Sequence, residues 1–243
     1  MVIRSLTTKP LNVGVENRDI AISFWKNMRL LFTNVQVLLA GAVGGILFLS
    51  LAVMADNLTP AFLHAMFPDL QQQTLVGVSR NIYFGWLVGA PLAGWLTELF
   101  KSRRLLLIIG VLCSAVVFSL ILLLPTLTVF DVSLLLFLFG LFSSVEILCF
   151  TLISDQVAKK NVAISMSVVN FLVMLVSTCV LPLTTYLLDF EWDGLTRVTD
   201  GKVIRVYSLH AYHVAFSIIP ILYTAALVLL FFLNESYHKR GDI

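Results

Sequence analysis

Six stretches of about 20 mostly apolar residues, separated by charged or turn-forming segments, limit what this chain can fold into. They fall at 35–55, 75–96, 105–124, 130–153, 162–188 and 211–233. A hydrocarbon layer ~30 Å thick is crossed by about 20 residues of helix rising ~1.5 Å each, so every stretch is long enough to span it. Of the 243 residues, 59% are hydrophobic and only 12% are charged, too much apolar surface for one soluble core to hide. Lipid must act as solvent. The expected fold is an all-α membrane protein of six transmembrane helices. The fifth stretch is long enough to need tilt or a kink, which Pro182 can supply.

Orientation follows from the placement of the 16 Lys and Arg. Twelve lie on one side: Arg4, Lys9, Arg18, Lys26 and Arg29 before the first stretch, then Lys101, Arg103, Arg104, Lys159, Lys160, Lys239 and Arg240. The other side holds Arg80, Arg197, Lys202 and Arg205. The basic side is expected in the cytoplasm, with both termini. The chain then divides into a cytoplasmic linker or interfacial segment at 1–34, the bundle at 35–233 and a cytoplasmic tail at 234–243. The first 33 residues lack the early apolar core and small-residue cleavage site of a secretory signal, so the first membrane helix is expected to stay.

Residues 20–32 place Ile20, Phe24, Trp25, Met28 and Leu31 mainly on one helical face, which suits either a surface helix or a lead-in to the first span. Near the other membrane face, 196–207 alternates around Asp200-Gly201, a dipeptide suited to a two-residue hairpin turn. Cys113, Cys149 and Cys179 sit in apolar runs without metal-ligand spacing and read as small buried hydrophobes. A net charge of +2 spread along loops argues against a nucleic-acid partner.

Between the second and third stretches runs Gly94-Trp95-Leu96-Thr97-Glu98-Leu99-Phe100-Lys101-Ser102-Arg103-Arg104. It resembles the major facilitator superfamily signature Gly-x-Leu-Ala-Asp-Arg-x-Gly-Arg-Arg: Gly94, Leu96, Glu98, Arg103 and Arg104 keep the pattern, whereas Leu99, Lys101 and Ser102 depart from it. The segment from Phe84 to Trp95 is similar to the eighth helix of bacterial carriers in that superfamily, and Ser165 to Leu175 with Leu181-Pro182-Leu183 is similar to the eleventh. The resemblance implies the carboxy-terminal six-helix half of a carrier. It makes Gly94, Glu98, Arg103 and Arg104 candidates for a cytoplasmic gate, with Glu98 pairing with Arg103 or capping a nearby helix end in one conformation. The other reading of this loop is a topology signal alone. Gly41 with Gly45, and Gly85 with Gly89 and Ala93, allow close helix approach.

Polar groups at membrane depth are the remaining candidates, because charge in hydrocarbon costs several kcal/mol unless it meets a cavity or a partner. Glu146 leads. At ~100° per residue it shares a sector with Gly140, Ser143 and Ser144, where a water-filled cavity and a proton or cation site are expected. An interhelical hydrogen bond is the alternative role. Arg80 is a candidate for an anionic group, or a snorkelling side chain, and Asn170 for a ligand or an interhelical bond. His210 and His213 read as interfacial, since nothing nearby in sequence completes a metal set.

The leading function is one half of a secondary transporter moving a small solute by alternating access, ion- or proton-coupled, with a complementary six-helix half or a second copy as partner. The alternative is a six-helix scaffold or regulatory subunit that no longer transports. The sequence has no nucleotide-binding loop and no Gly-x-Ser-x-Gly or His-Glu-x-x-His pattern, so neither an enzyme nor a cofactor is expected.

Overall fold

A computed structural model describes residues 32–199 and 202–235. Asn34 starts the first long helix, its side-chain oxygen accepting from the Gln36 amide at 2.9 Å. That helix, α1 (Val35–Leu49), passes through a π-helical stretch, Ser50–Leu58, into α2 (Thr59–Met66). Next come α3 (Gln72–Ser79) and α4 (Asn81–Phe100), which meet at Arg80. Ser102 caps α5 (Arg103–Leu123) by accepting from the Leu105 amide, and a Thr128–Asp131 capping box starts α6 (Val129–Ser143). A 3-10 turn, Ser144–Glu146, joins α6 to α7 (Ile147–Gln156). Then follow α8 (Val162–Phe190), an antiparallel hairpin of β1 (Thr196–Thr199) and β2 (Lys202–Arg205), α9 (Leu209–Phe216) and α10 (Ile218–Phe231).

Small residues decide which helices touch. A Cβ added at Gly41 or Gly45 would meet Leu172 or Val176, so α1 lies tightly on α8. Gly85 and Gly89 similarly bring α4 against the backbone of α6 at Phe137 and Leu141. Between these pairs sits an aromatic core: Phe118 stacks on Phe139 with ring centres 4.9 Å apart, and Phe216 packs on Phe62 at 5.2 Å. Large apolar side chains such as Leu87, Trp95, Leu123 and Phe231 remain exposed, as a lipid-facing surface requires.

Among the described residues, five helical segments are long and apolar enough to cross a membrane: Val35–Met66, Arg103–Leu123, Val129–Gln156, Lys159–Phe190 and Leu209–Phe231. The protein is an all-α, integral multi-pass membrane protein apart from its hairpin. The stretch expected as the second span folds into α3 and α4, but Asn81, Glu98, Pro91 and its glycines and tryptophans keep it below that apolarity. The first span does not end at 55. Asn57 donates its side-chain amide to the Ala52 carbonyl at 2.6 Å, and Asp56 accepts from the Tyr83 hydroxyl, so the helix carries both polar residues onward through a π turn. Helix α8 runs through Pro182 without a break. Cys149 is buried and Cys113 half-buried, but Cys179 is exposed on the outward face of α8 beside Met174 and Leu183, contrary to the expected burial. The hairpin has the expected strands, whereas its turn at Asp200-Gly201, the helix expected at 20–32 up to residue 31, and residues 236–243 lie outside the described residues.

Candidate functional site

Glu146 ends the 3-10 turn that interrupts the fourth apolar segment, and α1, α4 and α5 all pack against that turn. It is 6% exposed, and its carboxyl makes no hydrogen bond or ion pair among the described residues. A short 3-10 stretch inside a long helix marks a hinge or a strained functional point. The residues expected to line a cavity pack against neighbouring helices. A Cβ on Gly140 would strike the Ile82 carbonyl, and one on Gly89 would strike the Ser144 hydroxyl. Ser143 bonds elsewhere: its hydroxyl lies 3.2 Å from Ser114 and 3.0 Å from the Tyr223 hydroxyl, which donates to the Leu47 carbonyl at 3.3 Å. In this conformation the sector is packed, with Ser143 and Ser144 fully buried. The Ser114–Ser143–Tyr223 chain ties α5, α6, α10 and α1 together. Three separate apolar segments supply it, and no local spacing announces it.

The signature residues lie at the basic end. Glu98 is exposed, and Arg103 forms its ion pair with Asp155 at the end of α7 and donates to the Thr151 carbonyl at 3.1 Å. That ion pair is partly buried, with the two side chains 15% and 28% exposed. Lys101 takes the left-handed conformation, φ 53°, which reverses the chain between Glu98 and Arg103. The acid that meets this loop is Glu235: its carboxylate accepts from the Ser102 hydroxyl at 2.6 Å and the Arg104 amide at 2.9 Å, completing the N-terminus of α5. Arg104 in turn donates to the Phe231 carbonyl at 2.9 Å, at the C-terminal end of α10. Gln36 holds the same exit from α10 by donating to the Phe232 carbonyl and accepting from the Asn234 amide. The result is a clasp joining α1, α5, α7 and the segment after α10. Gly94 faces open space, with nothing within 4 Å of an added Cβ.

Arg80 and Asn170 are both exposed, and no hydrogen bond or ion pair joins either to Glu146. Asp56 was expected in a loop and instead lies in the π stretch, bonded to Tyr83 of α4, while Trp86 donates to the Ser50 hydroxyl at 3.0 Å on the same pair of elements. His210 stands 3.9 Å from Glu191, and His213 packs near Phe62.

At the hairpin end, Asp189 accepts from Arg205 at 2.7 Å and from the Tyr207 hydroxyl at 2.5 Å. Desolvation and the Asp189 bond hold the Tyr207 phenol above its ordinary range.

A bundle of apolar helices that encloses one carboxyl and is clasped by charged side chains at one end is the construction of a membrane carrier. Residues 33–242 match the Major Facilitator Superfamily, and the chain belongs to it. Members of that superfamily are transporters rather than enzymes, so this is a transporter of the major facilitator type. No curated protein matches the chain.

Proposed function

We propose that this chain forms one six-helix bundle of a secondary transporter, with α3 and α4 as the sixth membrane crossing, and moves a small solute by alternating access. Its partner is a complementary six-helix half or a second copy, since carriers of this type enclose the solute between two bundles. Twelve Lys and Arg against four put both termini in the cytoplasm and the hairpin outside, in the inner membrane of a bacterial cell.

The observation that carries the reading is Glu146: a carboxyl at membrane depth, enclosed by apolar helices and unpartnered among the described residues, at the single 3-10 turn of its helix. Such a group is costly and is kept where it exchanges a proton or meets a cation. Alternating exposure of Glu146 to the two sides would couple solute movement to protons in symport or antiport. The Arg103–Asp155 pair and the Glu235 contacts hold the cytoplasmic ends of the helices together in one conformation, and Gly94 leaves open space on α4 where the partner bundle would approach.

The test uses proteoliposomes loaded with a pH-sensitive dye, containing the chain assembled with its partner bundle and exposed to sugars, amino acids, carboxylates and amines in turn. At least one solute gradient should drive proton movement, and Glu146→Gln should abolish the coupling. A Glu146→Gln carrier with the parent's full pH profile would make Glu146 structural.

A further inference from the structure

The first apolar segment changes helix type part-way along. Ser50–Leu58 is π-helical, and the Thr59 amide closes it by donating to the Met54 carbonyl. A π-helix is rare, usually lasts a single turn, and is found frequently at functional sites. Here it runs for 9 residues. It packs against α4, α6 and α8, and its uncovered side carries Asp56 and Asn57.

Two aromatic side chains of α4 hold this stretch. Trp86 donates to the Ser50 hydroxyl at 3.0 Å, and its ring meets Phe48 edge-on with centres 6.3 Å apart. One turn earlier, Tyr83 donates to a carboxylate oxygen of Asp56. Tyr83 and its neighbour Phe84 are both exposed. Asn57 turns its amide back onto the Ala52 carbonyl at 2.6 Å, which leaves Asp56 as the charge on this side of the stretch. Arg80 begins α4 one turn before Tyr83, and among the described residues no ion pair joins it to Asp56.

Asp56 lies inside the apolar segment Val35–Met66, short of its hairpin-side end. A carboxylate there is costly against lipid and is kept where it lines water or meets a cation. Its exposure therefore puts the uncovered side of the π stretch on a watered face of the bundle, with aromatic rings at the edge. A carboxylate beside exposed aromatic rings suits an organic ammonium, whose charge pairs with the oxygens while its carbons lie against the rings.

We propose that Asp56, fixed by Tyr83, binds the ammonium group of the transported solute, which makes that solute an organic amine. The assignment rests on reading the chain as one bundle of a carrier. It does not involve Glu146, because binding at Asp56 needs no proton movement.

Binding to the purified chain, read from Trp86 after Trp25, Trp95 and Trp192 are changed to Phe, tests the assignment without transport. Phenethylammonium, added in neutral-detergent micelles with sodium chloride, should change Trp86 fluorescence saturably. Phenylpropionate and phenylpropanol, of similar size, should not. Asp56→Asn keeps an acceptor for Tyr83 and should melt as the parent does, yet weaken phenethylammonium binding about tenfold. Asp56→Glu should retain most of the affinity. Short-chain phosphatidylethanolamine, whose ammonium already faces its own phosphate, should not displace the amine. Equal phenethylammonium affinity in parent and Asp56→Asn, or an equal response to phenylpropanol, would overturn the site. Displacement by the lipid at concentrations comparable to the amine would overturn a solute as the source of the ammonium. Amine binding that persists where proton coupling fails would sustain this site and count against the Glu146 reading alone.

Discussion

Substituting Gly140 by Ala puts one methyl group where α6 touches the chain just ahead of Gly85, and the contact there is backbone to backbone. The added Cβ would overlap the Ile82 carbonyl oxygen and stand 2.8 Å from its carbon. On the facing helix, a Cβ at Gly85 would overlap the Phe137 carbonyl and stand 2.6 Å from the Leu141 nitrogen. A backbone oxygen cannot rotate aside as a side chain can, so the helices must part. Overpacking of this kind costs about 1–3 kcal/mol, and the intrinsic helix preference of Ala over Gly returns about 1 kcal/mol. Gly140→Ala and Gly85→Ala should each lose up to about 2 kcal/mol. One separation relieves both clashes, so the double variant should lose less than the sum by about 1 kcal/mol. Gly94→Ala, with open space at its Cβ, should gain up to about 1 kcal/mol from helix preference alone. Unfolding by a denaturing detergent in mixed micelles, followed by circular dichroism, measures all four. If Gly140→Ala stabilised the chain as Gly94→Ala does, or the two losses simply added, the close α4–α6 contact would be wrong. Should Gly94→Ala stabilise the chain yet impair transport, Gly94 would meet a neighbour in another conformation.

Lys101→Gly should stabilise the loop before α5 by about 1 kcal/mol, because Gly takes a left-handed conformation without the Cβ penalty that Lys bears there; the same unfolding titration reads it. Tyr223→Phe removes the bonds to Ser143 and Leu47 and should cost about 1 kcal/mol, or nearer the ~0.6 kcal/mol average of membrane hydrogen bonds. Asp155→Asn takes the charge partner from Arg103 in a partly buried pair and should cost about 1–2 kcal/mol, with distance measurements between spin labels on α5 and α7 showing the basic end spread apart.

The apolar runs located most helix positions to within a few residues because lipid-facing and core-facing residues are both apolar, and a long run needs no periodicity to be recognised. Where prediction from sequence failed, a distant partner was responsible. Asp56 and Asn57 look like the end of the first run, yet Tyr83 and the Ala52 carbonyl satisfy them inside a helix. The Asp155 partner of Arg103 was not legible, because the end of α7 meets the start of α5 only in the folded bundle. The sector through Gly140, Ser143, Ser144 and Glu146 assumed a uniform helix, whereas a 3-10 turn starts at Ser144, Gly140 and Ser144 meet α4, and Ser143 bonds to Ser114 and Tyr223. Glu146 itself was legible, since a lone carboxyl in an apolar run stands out without any knowledge of what surrounds it. The contact of Arg197 with His64 was not legible, because only the folded hairpin lays a strand residue against α2.

The account turns on Glu146 being reached by water from each side of the membrane in turn. A single cysteine at position 146, with Cys113, Cys149 and Cys179 replaced by alanine, reports this directly when membrane-impermeant maleimides are applied to right-side-out and inside-out vesicles. Labelling from each side, with the balance shifted when the Arg103–Asp155 pair is removed by Asp155→Asn, is the predicted result. A cysteine at 146 that reacts from neither side under any condition would contradict the account and leave Glu146 as a packed structural group.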